Sequence, residues 1–292
     1  MKKVKSKIAL FILVFSFINI SAQYQPKNLT KSEEKLAKSW VDTTYNSLSQ
    51  DEKLGQLFII ALYTNKGEDF INTVRNIVIN EKIGGLILMQ DDAAREINLV
   101  NEFQSKSKVP LMIGMDAEWG VFQRIATAHK FPWAMTLGAI QDKSLITEMA
   151  AKIAEDCKRM GINWDFAPVV DVNTNPENPI IGNRSFGSEV SNVVSSALAY
   201  SKGLQDNNIL AAIKHFPGHG DTNTDSHLDL PVVSHDLKRL TDVELAPFKE
   251  LMNKGIGGVM VAHLYVPALE KEKGIPASVS KNIITGILTE KY

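Results

Sequence analysis

From about residue 54 onward, short unbroken apolar runs alternate with longer stretches in which apolar residues recur every three to four positions. The runs are Leu57–Ala61, Gly85–Met89, Leu111–Met115, Asn163–Pro168, Ala211–His215 and Gly258–Ala262. They lack a strict apolar/polar alternation, which is what strands buried on both faces look like when helices cover a parallel sheet from each side. Between them, Lys143–Met160 and Glu189–Asn207 place apolar residues at helical spacing. The alternation predicts an α/β fold with parallel strands. Two strand openings, Ile83-Gly84-Gly85-Leu86 and Ile256-Gly257-Gly258-Val259, echo each other, although glycine preference at helix ends would give the same echo.

Polar residues fall where these runs end. Asp116 and Glu118 follow the third run, Asp171 the fourth, Lys214 and His215 end the fifth, and His263 ends the sixth. Polar groups collected at the carboxyl ends of successive parallel strands are the arrangement of a (β/α)8 TIM-type barrel. A doubly wound open sheet shares that logic. No Gly-x-Gly-x-x-Gly stretch opens a helix, which weighs against it. Residues 282–292 return to a helical pattern, so about six of the eight strands a closed barrel needs are expected in this chain.

Charge and composition narrow the partners. A formal net charge of -1, with no basic run after the first residues, supplies no counterion-release drive toward phosphate, so nucleic acid is not expected as a partner. A single cysteine, Cys157, excludes an internal disulfide and a cysteine-based zinc site. At the start, Lys2, Lys3, Lys5 and Lys7 precede an apolar run from Ile8 to Ile20 that ends in Ser21-Ala22-Gln23. The order is that of a secretory signal peptide over residues 1–22, with a retained membrane anchor as the alternative. Residues 23–53 form a polar lead-in, the barrel is expected over 54–292, and the mature chain is expected to be exported, periplasmic or secreted, without an integral membrane span.

The richest segment is Lys214-His215-Phe216-Pro217-Gly218-His219-Gly220-Asp221-Thr222-Asn223-Thr224-Asp225-Ser226-His227. It leaves a buried strand through a glycine- and proline-rich turn and then presents a carboxylate and an imidazole two residues apart. A carboxylate bonded to one ring nitrogen fixes the tautomer and raises the basicity of the other, as a general acid near neutrality requires. Two other readings stay open: the histidines with Asp221 and Asp225 as metal ligands, and Asp225 as a turn residue bonding its own backbone. His219, flanked by glycines, reads as structural.

This segment resembles the signature of the NagZ-type β-N-acetylglucosaminidases of glycoside hydrolase family 3. Gly114-Met115-Asp116-Ala117-Glu118-Trp119-Gly120-Val121-Phe122-Gln123-Arg124, Asn163-Trp164-Asp165-Phe166-Ala167-Pro168-Val169-Val170-Asp171-Val172 and Asn183-Arg184-Ser185-Phe186-Gly187 resemble further segments of that family, in order, from about Leu54 onward. The resemblance implies a retaining glycosidase whose acid/base is His227 oriented by Asp225. It implies that Asp116, Arg124, Arg184, Lys214 and His215 bind the terminal sugar of a β-linked N-acetylglucosamine glycan, cell-wall peptidoglycan included. It implies no metal or other cofactor. For Arg184 a structural ion pair is the competing role. The family's usual Asp-x-Glu-Gly-Gly is broken here by Trp119, either a stacking face for the sugar or a space filler. The family nucleophile is an aspartate ending a seventh strand, so this chain is expected to stop short of it; Asp171 is a weak substitute. A family 3 β-glucosidase-like enzyme and a non-catalytic sugar-binding barrel are the rival functions.

Overall fold

The computed structural model describes residues 30–224 and 229–292. The expected signal segment lies outside the described residues, as do Asp225 and His227.

Six parallel strands form one curled sheet in which each strand pairs with its predecessor: β1 (Ile59–Leu62), β2 (Gly85–Leu88), β3 (Met112–Met115), β4 (Trp164–Asp165), β5 (Leu210–Phe216) and β6 (Gly258–Val261). Sequential parallel pairing with intervening helices is the arc of a (β/α)8 barrel, and it replaces the order reversal that a doubly wound sheet would show. Strands β2, β3 and β5 are buried over most of their length. Their continuous apolar character follows from having neighbours on both faces.

The helices pack outside the sheet through single apolar stripes. In α3 (Glu68–Asn80) the buried positions are Ile71, Val74 and Val78; in α6 (Ser144–Arg159) they are Ile146, Ala150, Ile153, Ala154 and Cys157. Both sets follow the three-to-four spacing of one helix face. Helix α4 (Ala93–Lys106) starts where Asp92 Oδ1 accepts from the backbone N–H groups of Ala94 and Arg95, at 3.0 and 3.2 Å. The helix α7 (Val190–Gln205) precedes β5, and the short helix α8 (Leu237–Arg239), a π-helical stretch (Leu240–Glu244) and α9 (Ala246–Met252) precede β6.

The glycine echo has a steric cause at the first site. A Cβ on Gly84 would stand 2.1 Å from the Gln56 carbonyl oxygen, and one on Gly85 2.3 Å from that of Met112. Both residues are therefore limited to glycine by backbone contact, whatever the helix end prefers.

Several boundaries differ from the sequence expectation. Leu57 and Phe58, the start of the first apolar run, are 78 % and 61 % exposed and precede the ladder. The fourth run gives a ladder of only two residues, Trp164–Asp165; beyond it the contact with β5 continues through separate bonds, Ala212 N–H to Ala167 O at 3.0 Å and Val170 N–H to Lys214 O at 2.7 Å. The described part of the polar lead-in, from residue 30 on, is helical: α1 (Lys31–Ser47) and α2 (Gln50–Gly55) each begin with a capping box, Thr30 with Glu33 and Ser49 with Glu52. No helix among the described residues is long and apolar enough to cross a membrane.

Candidate active site

Strand β3 delivers Asp116 and Glu118 to the carboxyl end of the sheet, and β5 carries Lys214 and His215 to the same end. Lys214 is 1 % exposed, so its ammonium has given up water and needs anionic partners. It has them: Nζ lies 2.8 Å from Asp116 Oδ1 and 2.8 Å from Glu118 Oε1. Arg124, reached through the 3-10 turn Val121–Gln123, donates from Nη2 to Asp116 Oδ2 at 2.5 Å. Arg184 grips Glu118 with two parallel bonds, Nη2 to Oε1 at 2.7 Å and Nε to Oε2 at 2.9 Å, and donates from Nη1 to the Ile180 carbonyl at 3.0 Å.

His215 continues the chain of contacts. Its Nδ1 lies 2.6 Å from Asp171 Oδ2 and its Nε2 3.2 Å from Arg184 Nη2. The carboxylate can only accept and the guanidinium only donate, so Nδ1 carries the hydrogen and Nε2 presents its lone pair. Asp171 also accepts from the His215 backbone N–H at 3.2 Å and from that of His219 at 2.6 Å.

Burial and pairing compete in setting these charges. Burial pushes Asp116 and Glu118 up, but the Lys214 ammonium and the arginine bonds outweigh it and hold both below the ordinary carboxylate range, Glu118 far below. Asp171 is likewise raised by burial and then drawn below its usual value by His215. Burial depresses Lys214, yet the two carboxylates leave it above an ordinary lysine. Asp165 behaves differently: fully buried, with a single backbone N–H bond from Ala117 at 3.0 Å, it is pushed up to about 7. Burial also lowers His219, whose Nδ1 meets Thr222 Oγ1 at 2.5 Å.

A cavity of about 760 Å³ opens over this network. Asp116, Arg124, Arg184, Lys214 and His215, the five residues expected to bind sugar, all line it. Glu118 and His219 join them, with Tyr63, Met89 and Phe166 as apolar wall. The arrangement offers fixed donors and carboxylate acceptors to a neutral, hydroxyl-rich ligand.

Other assignments shift. Asp171 is 1 % exposed and stands behind His215, off the cavity wall, so it orients an imidazole and has no path to a substrate carbon. Arg184 holds the structural ion pair and also faces the cavity. Trp119 turns to Trp133, ring centroids 4.1 Å apart, and does not line the cavity. His219, read as structural, is buried and also reaches the cavity wall, and among the described residues its Nε2 has no partner. His263 lines the cavity while its Nδ1 meets Ser278 Oγ at 2.6 Å. Glu118, one of the strand-end polar residues but not among those the resemblance assigns to the sugar, belongs to the cavity lining as well. Its signal, a carboxylate two positions beyond Asp116 at a strand end, was present in the sequence.

Residues 49–292 match the model of the glycosyl hydrolase family 3 N-terminal domain. The chain belongs to glycoside hydrolase family 3. Within the family it is 39 % identical over 229 residues to β-hexosaminidase A of Pseudoalteromonas piscicida, covering 70 % of this chain and 38 % of that protein. The structure of a family 3 β-N-acetylglucosaminidase from Paenibacillus sp. str. FPU-7 superposes with a TM-score of 0.74 at 37 % identity, over 82 % of this chain and 47 % of that one. A β-glucoside phosphorylase, BglX, solved with bound 2FGlc, gives a TM-score of 0.81 at 30 % identity, over 90 % and 48 %. The chain thus spans about two fifths to one half of the length of these family 3 relatives.

Proposed function

We propose that this chain is the barrel portion of an exported, retaining β-N-acetylglucosaminidase acting on cell-wall or related glycans. The observation that carries the reading is the convergence of Asp116, Arg124, Arg184, Lys214 and His215 on one cavity at the carboxyl end of the sheet. In this reading the two Asp116 oxygens, each already bonded to a cation, use their remaining lone pairs for two sugar hydroxyls. Arg184 and Lys214 donate to hydroxyl oxygens, and their own carboxylate pairs keep them from shifting. A carboxylate of a seventh strand attacks the anomeric carbon while the bond to the leaving oxygen breaks. His227, oriented by Asp225, gives that oxygen its proton. Water then attacks the glycosyl-enzyme and returns a proton to His227.

The test uses the protein at its full natural length. It should release sugar from an aryl β-N-acetylglucosaminide far faster than from the matching β-glucoside. Equal rates, or faster glucoside cleavage, would favour the β-glucoside specificity of the phosphorylase relative. Running both assays with and without inorganic phosphate separates hydrolysis from transfer to phosphate. Export predicts a mature amino terminus at Gln23 in protein recovered outside the cytoplasm, read by terminal sequencing.

A further inference from the structure

Strands β2 and β3 are neighbours in the sheet, and the chain leaving each of them brings a buried polar group that has nothing to bond to. From β2 it runs through Asp91 and Asp92 into the first turn of α4, where Glu96 is 0 % exposed. Among the described residues neither carboxyl oxygen of Glu96 has a hydrogen-bond partner. From β3 the chain reaches Arg124, whose Nη2 holds Asp116 Oδ2 at 2.5 Å and whose Nε is buried without a partner. Arg124 lines the cavity and Glu96 does not.

The other charged groups around Glu96 are engaged elsewhere. Asp92 Oδ1 caps α4 through the backbone N–H groups of Ala94 and Arg95. Asp91 Oδ2 accepts from Thr64 Oγ1 at 2.5 Å and pairs at 3.1 Å with Arg95 Nη1, which also donates to the Thr64 carbonyl at 3.4 Å. A buried carboxylate without a partner is too costly to stay ionised. Burial pushes Glu96 up to about 8; Asp91 adds to the rise, Arg124 opposes it, and Asp92 adds least. At neutral pH Glu96 is therefore a neutral acid, and Arg124 is the described cation whose charge bears on it. An acceptor that lacks a donor thus lies in the field of a donor that lacks an acceptor.

We propose that Glu96 is a positioning residue for Arg124: its acid carbonyl accepts from the Arg124 Nε–H, directly or through one buried water, and so fixes how the guanidinium meets Asp116 and the sugar. What concerns the sugar rests on the function given above. The guanidinium is a planar fork, so a hold on Nε sets the plane in which Nη1 and Nη2 reach Asp116 and a hydroxyl. Once Glu96 ionises it becomes a second carboxylate competing with Asp116 for the same cation.

The experiment compares Glu96→Met and Glu96→Gln in the natural-length protein on an aryl β-N-acetylglucosaminide. At pH 7 Glu96→Met, similar in length but without an acceptor, should raise KM roughly 10-fold, the effect of one lost hydrogen bond to a charged group, with kcat changed less. Glu96→Gln, which keeps the acceptor, should hold KM within about threefold of wild type. Wild-type KM should climb as pH rises through about 8, and Glu96→Gln should lack that climb. A wild-type KM in Glu96→Met, or the same climb in Glu96→Gln, overturns the proposal. The pair is also read without substrate, by Tm at pH 7 of Glu96→Met, Arg124→Lys and the double variant. The double loss should fall clearly short of the sum, and additive losses overturn the pair. Absence of N-acetylglucosaminidase activity in wild type would refute the function instead, so the two failures are distinguishable.

Discussion

Replacing Glu118 with glutamine tests whether the ion network holds the barrel together as well as lining its mouth. The substitution keeps shape and swaps one oxygen for an NH2 group, which must then face Arg184 or Lys214, and both of those only donate. Removing one partner of a buried pair costs about 3–5 kcal/mol, since the remaining charge stays buried without compensation. Lys214 keeps Asp116 at 2.8 Å, which places the expected loss at the low end, about 3 kcal/mol. For a chain of this size each 1 kcal/mol moves Tm by about 2–4 °C, so the variant should melt ~6–12 °C lower at pH 7. The pH dependence has a definite sign. Glu118 is held far below the usual carboxylate range, so its contribution is complete above its unfolded value near ~4.3 and fades only as pH falls well below that. The gap between wild type and variant should be flat from about pH 5 to 8 and narrow in strong acid. Thermal unfolding followed by far-UV circular dichroism reads both. A Tm within about 2 °C of wild type at neutral pH, or a gap that widens in acid, would refute the reasoning.

Asp171→Asn should lower kcat/KM of the natural-length enzyme about 10- to 100-fold, the equivalent of one lost hydrogen bond to a charged group; unchanged kinetics on an aryl N-acetylglucosaminide would remove Asp171 from any orienting role. Asp165 titrates near 7 in the folded chain and lower when unfolded, so the folded state holds its proton longer and stability falls as pH rises from about 4 to 7. Asp165→Asn keeps the acceptor for Ala117 N–H and should match wild type near pH 4 but melt several degrees higher at pH 8; a variant less stable at pH 8 contradicts the assignment. Trp119→Ala should cost stability through the lost contact with Trp133 while leaving the Kd for N-acetylglucosamine, measured by calorimetry, within about twofold, and a large loss of affinity would return Trp119 to the sugar site.

What could be read in advance was whatever a strand end displays locally. Asp116, Lys214 and His215 could be placed from the apolar runs that precede them, and the cavity they line is where the barrel reading puts it. What could not be read was which distant residue closes each pair. Glu118 is held by Arg184 from 66 positions later, and His215 by Asp171 from 44 positions earlier, and no spacing in the sequence encodes either contact. Strand limits failed for a related reason. An apolar run such as Leu57–Ala61 announces burial or propensity, but the ladder begins only where a partner strand stands, at Ile59 opposite Gly85. Trp119 shows the same limit for side chains: an aromatic close to a strand-end carboxylate reads equally as a stacking face or a space filler until Trp133 is seen to pack against it.

The order of the sheet is also the order in which the chain is made. Because every strand from β2 to β6 pairs with the one before it, each emerging strand finds its hydrogen-bonding edge already synthesised and none has to wait for a later one. At roughly 5–20 residues per second the ribosome delivers a new strand and its helix every few seconds, long compared with the microseconds to milliseconds in which local contacts form. The growing sheet can thus be extended one unit at a time, with a single unpaired edge exposed at its advancing side. The long-range clasps, Arg184 on Glu118 and Lys214 on Asp116, then close in the same succession, so the cavity wall is tightened in stages as the protein is made.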